Sequence, residues 1–446
     1  MGKYQTYPEY EKVHSEWLSE IPKGWVTTPL KHVAKISMGQ SPSSEDCNID
    51  GLGIPFLQGN AEFGAKFPKE KQFCPVPKKV AKEGDLLFSV RAPVGALNFA
   101  NKEFGMGRGL CSIRGNNSIS QSFLWWVLPS YKYQFDAIAT GSTFEAVSAE
   151  EVGNLKLALP TATEQTQIAN FLDHETAKID TLIDKQQQLI KLLKEKRQAV
   201  ISHAVTKGLN PAAPMKDSGV GWLGEVPEHW EVARLKQIIE SGSSISYGIV
   251  QPGDALDEGV PFIQTTNISQ GNLALEALPK TSEVIEKNYP RSRLSGGEVI
   301  LGIRASIGAA YVVSKELKGV NLSRGVARIQ PSSLISSEFL VWFFQTNAVA
   351  QYWGLSKQGS TFSEVSIETV RELSVVLPPE NEQQEICSHL QLISNKFNNI
   401  IDLAESQNNL LRERRTALIS AAVTGKIDVR NWQAPANQEA QQQEAS

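Results

Sequence analysis

The sequence predicts an α+β protein. It should contain two similar mixed α/β domains, each followed by a long α-helix, with the two helices packing as an antiparallel coiled coil about a pseudo-two-fold axis. Three observations predict this: the chain is written twice, each copy changes texture partway through, and each second texture lacks Gly and Pro. The expected boundaries are a first domain at 1–160, a first helical spacer at 161–207, a second domain at 208–378, a second spacer at 379–430, and a disordered Gln-rich tail at 431–446.

The repeat opens with Trp17-Leu18-Ser19-Glu20-Ile21-Pro22-Lys23-Gly24-Trp25, which returns as Trp222-Leu223-Gly224-Glu225-Val226-Pro227-Glu228-His229-Trp230. Gly53-Ile54-Pro55-Phe56-Leu57-Gln58 returns as Gly259-Val260-Pro261-Phe262-Ile263-Gln264. The strand-like Gly84-Asp85-Leu86-Leu87-Phe88-Ser89-Val90-Arg91-Ala92 matches Gly297-Glu298-Val299-Ile300-Leu301-Gly302-Ile303-Arg304-Ala305. Gly-Ser-Thr-Phe at 141–144 recurs at 359–362, Leu159-Pro160 and Glu164-Gln165 recur as Leu377-Pro378 and Glu382-Gln383, and Ala204-Val205-Thr206 recurs as Ala422-Val423-Thr424. So many ordered matches mark a tandem duplication.

Within each copy, roughly 17–160 and 222–378 carry Gly, Pro and short β-branched runs. These read as strands and turns, with a helix near Ser122–Phe135 and near Ser337–Trp353. The period then changes. Ile168, Leu172, Ile179, Leu182, Leu189 and Leu193 step by threes and fours, as do Ile386, Leu390, Ile393, Phe397, Ile400 and Leu411. These are the expected seam of the paired helices. A helix from Glu164 to Thr206 would run roughly 64 Å and needs a partner to bury its apolar stripe.

Length and composition fit a folded protein of two to four domains, with 41% hydrophobic and 21% charged residues among 446. No apolar run approaches the ~20 residues of a membrane helix, and the N-terminus has no signal core, so the expected location is cytoplasmic with no membrane partner. Cys47, Cys74, Cys111 and Cys387 are widely spaced and read as reduced thiols. The net charge of −4 excludes a whole-chain basic excess. Any nucleic-acid contact must come from local clusters or from partner subunits.

Catalytic motifs are absent. There is no GxxxxGK[ST] loop, no Pro-Asp start to a metal-nuclease site, and no metal-ligand spacing among six scattered histidines. Phe104-Gly105-Met106-Gly107-Arg108-Gly109 mimics an S-adenosylmethionine loop, but the second copy keeps only Arg324-Gly325, and a turn explains the motif better. The expectation is a chain with no catalytic residue, no metal and no cofactor of its own.

Residues suited to DNA contact are present. A basic cluster precedes the central strand in each copy: Lys66, Lys69, Lys71, Lys78, Lys79 and Lys82 in the first, Lys280, Lys287, Arg291 and Arg293 in the second. Either a solvated face or phosphate binding would produce it. Arg91 and Arg304 end matched strands, where a structural pair with a buried carboxylate and a guanine-reading role both fit. Gln58 and Asn60, then Gln264, Thr265, Thr266 and Asn267, follow the Pro-Phe strands and suit base-edge or phosphate contacts. Ser142, Thr143, Ser360 and Thr361 of the repeated Gly-Ser-Thr-Phe complete the candidate set. Trp17, Trp25, Trp222 and Trp230 read as core.

Taken as an ordered set present twice, these motifs resemble the specificity subunits of Type I restriction–modification enzymes, over nearly the whole chain to about residue 430. The resemblance implies two target-recognition domains, at 1–160 and 208–378, each reading one half of a bipartite, asymmetric double-stranded DNA target. It implies helices that act as spacer and docking surface for two modification subunits, which use S-adenosylmethionine, and two restriction subunits, which use ATP and Mg. Two rival readings are a self-contained methyltransferase built on Gly105–Gly109 and a two-headed scaffold that binds proteins instead of DNA.

Overall fold

The computed structural model describes residues 4–13, 17–43, 46–134, 146–254, 256–356 and 364–434. It falls into two compact units. The first is Met1–Gln186 together with Gln407–Ser446, and the second is Gln187–Ser406.

In the first unit, an antiparallel sheet runs in the order Ala34–Met38, Leu110–Gly115, Leu86–Ser89, Leu97–Phe99. The central strand Leu86–Ser89 is buried along its whole length, as its unbroken apolar run requires. A smaller sheet has the order Gln72–Cys74, Ile54–Leu57, Phe104–Met106, Val80–Ala81, and its two middle strands are parallel. The second unit repeats the plan. One sheet runs Ser246–Tyr247, Val326–Ile329, Val299–Gly302, Ala310–Val312; the other runs Lys280–Thr281, Val260–Ile263, Asn321–Leu322, with its last two strands parallel.

The repeated acidic strand motif is a buried ion pair. Glu298 is fully buried and meets Arg328 at 2.9 Å. Although burial pushes its carboxyl upward, the backbone amides of Glu298 and Ser295 and the Arg328 guanidinium hold it below the usual carboxylate range. Asp85 pairs with Arg114 in the first unit. The carboxylates that recur in both copies are therefore held by Arg114 and Arg328, while Arg91 and Arg304 lie elsewhere.

Glu-Gln at the start of each long helix is a docking device. Gln165 accepts the Ser120 N–H at 2.8 Å and donates to the Ser118 and Pro160 carbonyls; Gln383 does the same with Ser336, Leu334 and Pro378. Ser120 and Ser336 cap the helices Gln121–Ser130 and Ser337–Phe344. Buried Trp25 donates its indole N–H to Glu164, and Trp230 donates to Glu382 at 2.9 Å. The second of these shorter helices differs from expectation, since it stops at Phe344 and a new helix, Asn347–Ser356, follows.

The long helices are Ala162–Lys207 and Glu380–Val423. In the first unit Arg415 donates to Asp180 at 2.8 Å and Gln186 to Gln407 at 2.7 Å; in the second, Lys194 meets Glu405 at 3.1 Å and Arg197 reaches Asn398. Rising numbers on one helix meet falling numbers on the other, so the pairing is antiparallel. The seam differs from the expected one. Ile168, Leu172, Ile179, Ile386 and Leu390 are buried, and Leu193, Ile393, Phe397 and Leu411 are partly buried. Leu182, Leu189 and Ile400, however, are 50%, 44% and 48% exposed. From Ile179 the inward stripe continues through Ile183, Gln186, Ile190, Leu193 and Arg197, and on the partner helix through Ile401, Ala404 and Asn408. Polar residues on the seam hid the phase of the repeat.

After each long helix a left-handed glycine turns the chain. Gly208 sits against Trp230 and Pro227, and Gly425 sits against Trp25 and Pro22. In the first unit the chain beyond Gly425 packs on the N-terminal segment: the Asp428 N–H donates to the Gln5 carbonyl at 2.8 Å, and the Arg430 guanidinium lies 4.9 Å from the Tyr7 ring. This corrects the start of the predicted disordered tail, because Trp432 packs edge-on to Phe171 at 5.4 Å and its carbonyl accepts from Gln167. Residues 435–446 of that tail lie outside the described residues.

Candidate nucleic-acid interface

In the first unit the parallel strands Ile54–Leu57 and Phe104–Met106 run side by side and end together, which brings Gln58 beside Gly107. The Gly107 N–H donates to the Leu57 carbonyl at 2.8 Å, and the Gly109 N–H to the Gln58 carbonyl at 3.2 Å. A Cβ on Gly107 would lie 2.6 Å from the Gln58 side chain, and one on Gly109 would lie 2.8 Å from the Gln58 carbonyl. Both positions need glycine for close backbone approach. The motif that mimics a cofactor loop is thus a strand and turn packed onto Gln58, with no open cradle.

Arg108, between these glycines, is exposed. The Gln58 amide donates to the Ser41 hydroxyl at 2.8 Å, and the Arg108 backbone N–H donates to the same oxygen at 3.2 Å. Next to this ridge lies a cleft of about 900 Å³ lined by Gln58, Asn60, Lys71, Gln72, Arg91 and Arg108. A second cleft, of about 540 Å³, shares Gln58, Gln72 and Arg108 and adds Ser41 and Cys47. The structure therefore gathers four sequence candidates, Gln58, Asn60, Lys71 and Arg91, into one concavity. Arg108 and Gln72 were missed as candidates. Arg108 was signalled by the Arg-Gly kept in both copies, whereas Gln72 had no signal because only strand pairing brings it near.

The remaining candidates of this unit are dispersed. Lys66 lies over the Phe67 and Phe99 rings at 5.9 and 5.7 Å, and Lys69, Lys78 and Lys79 are exposed. Ser142 and Thr143 lie outside the described residues, as do Ser360 and Thr361 of the second copy.

The second unit uses the same scaffold, keeping Gln264, Arg304 and Arg324 and placing Thr265 and Thr266 where the first has Gly59 and Asn60. Gly325 lies against Thr265, and the Arg324 N–H donates to the Ile249 carbonyl at 2.8 Å. Exposed Arg324 has Glu364 at 3.6 Å, and Glu364 also forms a backbone bridge with Arg304. Gln264, Thr265 and half-buried Arg304 gather here, with Thr266 exposed on the helix Thr265–Gln270. Two candidates have structural jobs instead. Asn267 is buried and its side-chain oxygen accepts the Gln264 N–H at 2.9 Å, capping that helix. Arg293 makes two bonds, of 2.7 and 2.6 Å, to buried Glu286, whose carboxyl that guanidinium holds below the usual range. The Lys280 ammonium donates to the Asp257 carbonyl at 2.7 Å, and Arg291 is exposed.

Among the described residues no group of three or more His, Cys, Asp or Glu side chains could hold a metal ion, and no helix is long and apolar enough to cross a membrane.

Comparison with known proteins follows the duplication. Residues 22–192 and 227–411 each match the family described as the Type I restriction modification DNA specificity domain. The chain is 26% identical over 388 residues to the Type I restriction enzyme EcoBI specificity subunit of Escherichia coli, covering 84% of this chain and 80% of that one. It is 36% identical over 194 residues to the putative type I restriction enzyme MjaX specificity subunit of Methanocaldococcus jannaschii, covering 42% and 45%. The fold is similar to a chain from a solved structure of a type I R-M system, with a TM-score of 0.73, 18% identity, and coverage of 91% of this chain and 99% of that one. It is also similar to the HsdS subunit from Thermoanaerobacter tengcongensis, with a TM-score of 0.53, 18% identity, and coverage of 91% and 98%. With both copies matched and the same duplicated α+β plan in its solved relatives, the chain belongs to the specificity-subunit family of type I restriction–modification systems.

Proposed function

We propose that this chain reads a bipartite, asymmetric DNA sequence, one half-site per recognition domain at 1–160 and 208–378, and assembles with modification and restriction subunits that carry out the chemistry. The observation that carries this reading is the concavity holding Gln58, Asn60, Lys71, Gln72, Arg91 and Arg108. Amides and guanidinia are the groups that hydrogen-bond to base edges, and lysine neutralises phosphate. The same scaffold carries Gln264, Arg304 and Arg324 in the second copy, the counterparts of Gln58, Arg91 and Arg108. Thr265 and Thr266 stand where the first has Gly59 and Asn60, so partly different side-chain sets imply different half-sites.

Docking of two modification subunits on the helical spacers is supported by an apolar face that the seam leaves uncovered. Leu189 and Leu192 step off the seam in the same rotational sense as Ile400 and Leu403. In an antiparallel pair this puts all four on one side. They are 44%, 61%, 48% and 62% exposed, a cluster of apolar side chains open to water of the kind that marks interaction surfaces. S-adenosylmethionine, ATP and Mg would then be bound by the partners.

The test is methylome sequencing of cells that express this chain with its modification partner, before and after residues 222–378 are exchanged for another family member's. The expected result is a split motif in which the exchange alters one half only. A change in both halves, or no split motif, overturns the reading.

A further inference from the structure

We propose that Arg108 reads a guanine in the half-site served by the first unit, an assignment that rests on the DNA-reading function proposed above. The residue stands on the ridge shared by the two clefts, together with Gln58 and Gln72. Its backbone is fixed from three directions: by glycine on both sides in close contact with Gln58, and by the Ser41 hydroxyl, which also takes the Gln58 amide hydrogen. A reading side chain gains from such a base, because little backbone freedom is lost when DNA arrives.

Charge separates Arg108 from Arg114. Arg114 is spent on Asp85, whereas no carboxylate among the described residues pairs with Arg108. Arg91 shares its cleft, and Arg108 is distinguished from it by standing on the ridge between both clefts. An exposed guanidinium with no carboxylate in pairing distance, beside two primary amides in a cleft that also holds Glu62, matches the groove edge of guanine, whose O6 and N7 accept a bidentate arginine. The second unit supplies the contrast. Arg324 occupies the corresponding place but has Glu364 at 3.6 Å, and the neighbouring Asn267 is consumed as a helix cap. The two readers share a scaffold and differ in whether this arginine is available, so only the first is assigned an arginine–guanine contact here.

The experiment uses the full chain in complex with its modification subunit. Methylome sequencing of wild type and Arg108→Gln is combined with binding to a duplex bearing the wild-type motif. In a second duplex each guanine of one half-site is replaced in turn by 7-deazaguanine, which lacks the N7 acceptor. Arg108→Gln should relax one guanine position in one half-site, with a loss of preference there of about 10- to 100-fold. The other half and the gap should stay unchanged. The 7-deaza duplex at that position should weaken wild type and leave the variant indifferent. A uniform loss of methylation at all sites, which a phosphate contact would give, overturns the assignment. Relaxation at a position other than guanine, or an unchanged motif, overturns it as well. A wild-type complex with no split motif overturns the proposed function itself, and so the two failures are distinguishable.

Discussion

Glu298 has no exposed side-chain surface and faces Arg328 at 2.9 Å, an arrangement in which removing one charge strands the other. Its carboxyl is held below the ordinary range, so the native state binds fewer protons than the unfolded chain as acid is added. The stabilisation is therefore present above the ordinary glutamate pKa of about 4.3 and is lost as the pH falls through and below it. Glu298→Gln should cost about 3–5 kcal/mol near neutral pH. Its unfolding curve should approach that of wild type as the pH drops below about 4, and chemical denaturation across a pH series checks both parts. This pair also defines what single residues can disclose. The recurrence of Asp85 and Glu298 marked them as important, but nothing in one dimension tells which arginine they meet, because Arg114 and Arg328 become neighbours only through antiparallel register. The same limit applies to Arg293 and Asn267, which carry the polar chemistry of a DNA contact and are occupied by Glu286 and a helix end instead.

At the scale of elements, the long helices were legible because 43 consecutive residues from Glu164 to Thr206 contain neither Gly nor Pro and repeat at threes and fours. Their phase was less legible. Gln186, Arg197 and Asn408 point inward, so the apolar signal favoured Leu182 and Leu189, one residue away from the true stripe at Ile183 and Ile190. Leu189 is informative in its own right, since it shares the exposed apolar face of Leu192 and Leu403. Leu192→Asp combined with Leu403→Asp should leave the thermal unfolding midpoint within a few degrees of wild type, because both side chains are more than 60% exposed. Retention of the modification subunit in co-purification should fall at least tenfold. Undiminished retention would remove this face from the docking surface. The short parallel strand pairs were harder to foresee than the helices. Each parallel pair spans only two registered residues, too few for a period to be read.

For the whole molecule, duplication was the decisive signal, and it carried the fold class because every match constrains both copies at once. The recognised bases remain unreadable from sequence, since the copies share Gln58 and Arg108 with Gln264 and Arg324 and differ at neighbours such as Asn60 and Thr266, whose contacts only the fold sets. The first long helix has 46 residues, about 69 Å of helix. If it serves as a spacer, inserting four residues into either long helix should lengthen it by about 6 Å, or one to two base pairs of duplex. Methylome sequencing of the insertion variant should find the same half-sites with a longer gap; altered bases at an unchanged gap would count against a spacer role. The contact between Gly425–Trp432 and the N-terminal segment has a further consequence, in the order of synthesis. The first unit takes core residues Ala421, Ala422, Val423, Ile427 and Val429 from the far end of the chain, while the second is one continuous stretch. On the ribosome, the domain translated first waits with an unfilled core until the whole of the second has been synthesised.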